Sequence, residues 1–234
     1  MNQIPLYALL GMICAASGVG FIWLYGSTER RFSRLKLPIA LKVALGGLAS
    51  SAVVLATWFL LPEGNHFAAL ASVNVGYGFV QAAMLGQIGA GSLTFILVIV
   101  LGLSVLVRMV TTSFTIGSGG SAGLFGTSVV VGALIGSTLG GLFHLWLPAL
   151  VSVPDVAAFA IVGMMSFFGG ISKAPLAVLV MVVEMAGGYV LLLPAMLAIF
   201  IAYAATGRHH IYSAQVANRL ASPAHREELR AWLR

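Results

Sequence analysis

The sequence predicts an all-α, polytopic membrane protein with broken and re-entrant helices. Three observations carry this. Of 234 residues, 60% are apolar and only 8% are charged, whereas a soluble domain needs about 25% charged residues to solvate its surface. The segments Gly64–Val107 and Met109–Pro154 contain no Asp, Glu, Lys or Arg, and each is long enough for about two crossings at roughly 20 residues apiece. Some of the 28 glycines cluster between apolar segments, at Gly86–Ser92, Gly117–Gly123 and Gly169–Ala174, where they interrupt helices. A soluble enzyme, a nucleic-acid-binding protein and a disordered chain are excluded.

The net charge of +6 belongs to topology. Five of the twelve Lys and Arg residues lie in Arg30–Lys42 and five in Arg208–Arg234. Basic clusters beside apolar segments mark cytoplasmic loops, so the C-terminus is expected on the cytoplasmic side. Residues 1–28 carry no charge, so the basic start of a leader peptide is lacking. Pro5–Tyr25 is about 31 Å of helix and reads as a first crossing from outside to inside. Cys14, the single cysteine, lies within it and offers no disulfide framework.

The second crossing is Leu37–Leu61, closed by the polar turn Pro62-Glu63-Gly64-Asn65. Ser72–Leu85 is too short to span and reads as a re-entrant or interfacial helix. After a glycine-rich break at Gly86–Ser92, Leu93–Phe114 is a full span carrying Arg108. The densest glycine cluster, Gly117-Ser118-Gly119-Gly120-Ser121-Ala122-Gly123, then separates it from the helix Leu124–Trp146. Pro148–Pro154 turns the chain into a short helix, Val156–Phe168, followed by a second break at Gly169–Ala174. Pro175 suits the first turn of the next helix, which runs to Ala186. Gly187-Gly188 breaks again before the last apolar helix, Leu191–Ala205. The organisation is a membrane domain over 1–207 and a terminal amphipathic helix and tail over 208–234.

Backbone leaves helical geometry at membrane depth only where protein buries it or a polar cavity receives it, and discontinuous helices point to a transport site. A glycine loop feeding a helix N-terminus directs free N–H groups at one point, and the helix dipole adds positive potential. Gly117–Gly123 before Leu124 has this form, which suits an anion without a basic side chain. The alternative use of these glycines is close packing. For Gly132, Gly136 and Gly140, spaced four apart, packing against another helix is the reading.

Two polar residues sit within apolar helices. Glu184 is a candidate proton relay or ion ligand, or else a structural acceptor for backbone freed at Gly187-Gly188 or a partner for Lys173. Arg108 is expected to bond loop carbonyls near the Gly117–Gly123 break. Gly119-Gly120-Ser121-Ala122-Gly123 also fits a nucleophile elbow. An intramembrane serine protease would pair Ser121 with His144, but these lie about 30 Å apart along one helix. No Cys/His/Asp/Glu cluster has metal spacing, and neither metal nor cofactor is expected.

The run Gly117-Ser-Gly-Gly-Ser-Ala-Gly-Leu-Phe-Gly-Thr-Ser128, followed by Gly132-Ala133, resembles the second filter motif of the CLC chloride channels and chloride/proton antiporters. Lys173-Ala174-Pro175-Leu176, Glu184-Met185 and Leu193-Pro194 resemble the late helices of that family, and Ile211-Tyr212-Ser213-Ala214 resembles the start of its final helix. Thr127 stands where the motif usually has Pro. The resemblance implies the second half of an inverted repeat. Leu124 and Phe125 would turn their N–H groups to a chloride or similar monovalent anion, with Gly123 beside them, and the Tyr212 hydroxyl would close the inner side. It also implies a homodimer, formed partly through Pro175–Ala186 and Leu191–Ala205, and contact with membrane lipid. The serine filter, gating glutamate and relay glutamate of a first repeat are not found in these residues, so a complementary N-terminal half is expected for transport. The competing expectation is a membrane scaffold that associates but moves nothing.

Overall fold

The computed structural model describes residues 3–61, 76–85, 87, 93–121, 123–187 and 189–212. Among them every regular element is a helix: α1 (Ile4–Arg34), α2 (Ile39–Leu60), α3 (Tyr77–Met84), α4 (Phe95–Gly117), α5 (Leu124–Trp146), α6 (Asp155–Ser172), α7 (Pro175–Ala186) and α8 (Leu192–Ala205). The first two, α4, α5 and α6 are long and apolar enough to cross a membrane. At 12 and 14 residues, α7 and α8 reach only about 18 and 21 Å, short of a hydrocarbon core of about 30 Å. The expected turn at residues 62–65, the break at 86–92 and the tail beyond Tyr212 lie wholly or largely outside the described residues.

The first helix is longer than its apolar stretch. It passes Tyr25 and continues through Glu29 and Arg30 to Arg34, because nothing in 26–34 breaks it and Arg31 and Arg34 in the last turn favour the negative end of the dipole. Leu35 then turns extended, and Pro38 leads into α2.

The core sits between α5 and α6. Within the most apolar stretch of each helix, 78% of α6 is buried against 6% of α2, so α6 is central and α2 peripheral. Glycines set the distance between α5 and α6. A methyl on Gly132 would stand 2.5 Å from the Gly163 carbonyl oxygen, one on Gly136 would strike the Phe159 carbonyl, and one on Gly140 would meet Phe159 Cβ at 2.9 Å. Backbone therefore lies on backbone, with rising numbers in α5 opposite falling numbers in α6. The packing use expected for Gly132, Gly136 and Gly140 holds.

The same chemistry corrects one expectation. Gly169 and Gly170 do not break the chain; α6 runs through both to Ser172. Gly169 makes room for Ile199, and a methyl on Gly170 would lie 3.2 Å from Ala202 Cβ. These glycines seat α8, and the break is confined to Lys173 and Ala174. On α1, a methyl on Gly11 would stand 2.5 Å from the Ala198 carbonyl, and one on Gly18 would stand 2.6 Å from Ile171.

Replacing Gly136 by Ala thrusts a methyl at a main-chain carbonyl that cannot rotate away. The variant is expected to lose about 1–3 kcal/mol, read as a lowered unfolding midpoint in detergent. Gly20→Ala, where a methyl meets open space, is expected to change stability by less than about 1 kcal/mol and in the stabilising direction.

Candidate functional site

The glycine loop divides its work unequally. Helix α4 continues through Gly117 itself, against the expectation that Gly117 opens the break. A methyl on Gly117 would lie 3.1 Å from Thr28 and 3.2 Å from the Glu29 nitrogen, so its place is a close contact with α1. The chain then turns away at Gly119, whose φ of 100° is open to glycine and costly for other residues. The Gly119 N–H then donates to Ile116 O at 2.9 Å and the Gly120 N–H to Thr115 O at 3.2 Å. This crossed pair is a Schellman closure of α4.

The amides of Ser118, Gly119 and Gly120 are thus engaged in stopping α4. The buried Ser118 follows suit: its hydroxyl donates to Thr115 O at 3.0 Å and sits against Gly46 of α2. Ser118 and Gly119 also line a cavity of about 280 Å³ between the ends of α1 and α4 and the start of α2, with Glu29, Ser33 and Lys42. Ser121 is exposed.

What remains is the start of α5. Gly123 is extended (φ −78°, ψ 127°) and gives the helix no side-chain cap. Among the described residues, the N–H groups of Leu124, Phe125 and Gly126 have no hydrogen-bond partner. Ser128 donates to Leu124 O at 2.7 Å, so its hydroxyl back-bonds within the helix and leaves the amides open. The Tyr77 hydroxyl lies beside Gly126, 3.1 Å from where a methyl there would stand.

Tyr212 comes to this end of the molecule through α6. Phe125 packs edge-on against Phe168 of α6, ring centroids 5.1 Å apart. Nearly one turn further along α6, Ile171 O accepts the Ile211 N–H at 3.0 Å. Ile211 is buried, while Tyr212 is 39% exposed. Its partial burial raises the phenol pKa above the ordinary value, so at neutral pH the hydroxyl is protonated and able to donate.

The remaining candidates stand elsewhere. Arg108 is buried in α4, nine residues before Gly117, which is about 14 Å along the axis. Glu184 lies near the far end of α7, nine residues from Pro175, or about 14 Å. It is exposed and its carboxylate accepts from the Tyr189 hydroxyl at 3.2 Å, while its main-chain carbonyl accepts the Gly187 N–H at 3.3 Å. The Gly187 N–H is thus met by a main-chain carbonyl, and the Glu184 carboxylate is bonded to Tyr189 instead. Lys173 does not pair with Glu184. Its ammonium donates to Thr206 Oγ1 at 2.6 Å and Tyr203 O at 3.2 Å, and burial lowers its pKa. His144 bonds Val151 O at the opposite end of α5, so no Ser121–His144 dyad forms. Among the described residues no group of acids, His and Cys could hold a metal ion.

Sequence reasoning missed Tyr77 and Thr206. Tyr77 lay inside the short helix expected over Ser72–Leu85, with nothing in the sequence to single it out. Thr206 ends the last apolar helix just before Gly207, the ordinary position of a C-terminal cap, and that signal was available.

The chain matches the family model described as voltage gated chloride channel over residues 1–207. It is 31% identical over 220 residues to a ClcB-like chloride channel protein of Ralstonia nicotianae, covering 92% of this chain and 46% of the relative. It is 31% identical over 195 residues to the H(+)/Cl(-) exchange transporter ClcA of Yersinia pestis, covering 83% and 37% respectively. The fold is similar to that of a slow cyanobacterial Cl-/H+ antiporter, with a TM-score of 0.63 at 21% identity, over 88% of this chain and 44% of that one. The chain spans less than half the length of these relatives. A match that takes in all eight described helices leaves one assignment: the chain is a multi-pass membrane protein of the voltage gated chloride channel family.

Proposed function

We propose that this chain forms one side of a chloride pathway, as part of a channel or chloride/proton antiporter and not as an enzyme. The anion would be held by the N–H groups of Leu124 and Phe125 and, from the cytoplasmic side, by the Tyr212 hydroxyl. The observation that carries this reading is the uncapped first turn of α5 at the end of α6 to which Ile211 is bonded. Two amides and a phenol are donors without full charge. They replace part of the hydration shell of chloride yet let the ion leave, which conduction requires. The names of the curated relatives, a chloride channel protein and an H(+)/Cl(-) exchanger, agree with this cargo.

Tyr212 is open on one side, and a first-repeat half would close the pathway there. Residues 1–207 would then be the membrane domain and 208–234 a terminal helix and cytoplasmic tail. The lipid-facing or partner-facing side of α7 and α8 exposes Leu176, Val180 and Leu193, which suits the homodimer contact implied by the resemblance.

The direct test is flux. The 234 residues reconstituted alone in liposomes are expected to give no selective chloride movement, and co-reconstitution with a first-repeat segment of a curated relative is expected to restore it. Robust selective flux from the chain alone would overturn the need for a complementary half.

A sharper test removes one donor. Proline is tolerated at the first helical position, and Gly123 already has the extended geometry that a following proline demands. Leu124→Pro is therefore expected to fold and to weaken bromide or chloride binding about tenfold to a hundredfold, since a hydrogen bond to a charged group contributes about 1.5–3 kcal/mol. Isothermal titration calorimetry on the complex reads this. Tyr212→Phe is expected to weaken binding in the same range, and unchanged affinity in both variants would leave the site without its donors.

A further inference from the structure

Lys173 has a left-handed backbone, φ 58°, and among the described residues it is the one non-glycine with positive φ. Such a conformation is unfavourable for a residue with a Cβ, and glycine would make the same turn without strain. The side chain is what glycine lacks. It caps the C-terminal end of α8, donating to Tyr203 O at 3.2 Å and Thr206 Oγ1 at 2.6 Å, with the ammonium 4.7 Å from the centre of the Tyr203 ring.

An ammonium only donates, so Thr206 Oγ1 accepts from it and keeps its own hydrogen for a carbonyl. The buried hydroxyl has Gly170 O at 3.0 Å within reach, beside Ala202 O and Tyr203 O of its own helix. Beyond it, the His209 N–H donates to Thr206 O at 3.0 Å and the Ile211 N–H to Ile171 O at 3.0 Å. Residues 206 and 211 are thus both fastened to residues 170–173, and Tyr212 follows directly.

We propose that Lys173 is a positioning residue for Tyr212: through Thr206 it holds the segment 206–211 on the end of α6 and so fixes where the phenol stands. The role in anion binding rests on the function proposed above; the clamp itself does not.

The test sets three substitutions against each other in the purified chain in lipid nanodiscs. A turn-only role predicts that Lys173→Gly is harmless or stabilising, since it relieves the strained φ. The clamp predicts that Lys173→Gly and Lys173→Met both raise hydrogen–deuterium exchange at the amides of residues 209–212 by about tenfold or more, and that Lys173→Arg retains protection. Unchanged exchange in the Gly and Met variants, or Arg no better than Met, overturns the proposal. Bromide titration of the complex with a first-repeat half supplies the second arm. Lys173→Gly is expected to weaken bromide binding in the parent chain and to have no further effect in a Tyr212→Phe background. Loosened exchange with unchanged bromide affinity overturns the link to the anion. Absence of bromide binding to the unsubstituted complex counts against the proposed function, and the exchange arm still decides the clamp.

Discussion

The contact of main chain on main chain between α5 and α6 is the constraint from which the rest follows. In lipid, two apolar helices gain little from hiding their side chains from one another, so association depends on close van der Waals approach. Gly132, Gly136 and Gly163 allow it. Because each stands opposite a particular carbonyl, the contact also fixes register. Carried on by two turns, that register brings Phe125 to Phe168 and sets the start of α5 beside the end of α6. The geometry of the candidate site is therefore decided within the bilayer-spanning packing, some distance from the site itself.

A second constraint governs what the site can offer. Two successive helix ends meet in the loop 117–123, and each brings unsatisfied backbone groups. The end of α4 settles its carbonyls with the amides of Gly119 and Gly120. The start of α5 receives no matching acceptor from the described residues. An N-terminus left in this state is what an anion could complete. Gly119 and Gly120 spend their amides on closing α4.

Much of this was legible in the sequence. Helix α5 begins and ends at the residues expected, Leu124 and Trp146, since a glycine cluster precedes it and a proline-bearing turn follows. Helix α7 starts at Pro175 as expected, and the four-residue glycine spacing foretold its packing. What could not be read is which of two uses a glycine has. Gly169 and Gly170 admit neighbours from α8, whereas Gly119 supplies a positive φ, yet both occur as a Gly-Gly pair beside an apolar helix. The distinction depends on what lies across the contact, and a single sequence does not contain the partner. The same limit hid the pairing of Lys173 with Thr206, 33 residues away, behind the more obvious carboxylate at Glu184.

The placing of Lys173 bears on selectivity under the proposed reading. A free ammonium beside Tyr212 would bind chloride through a full charge and three donors, and the ion would leave slowly. Here two of those donors are directed at Thr206 and Tyr203 O, and the positive charge lies against the negative end of the α8 dipole. Under that reading the cation would raise the local potential for an arriving anion without offering it a strong direct bond. Under the proposed reading, attraction would be separated from ligation, the lysine serving the first and the amides and phenol the second. A pathway that must both collect and release a halide benefits from that division.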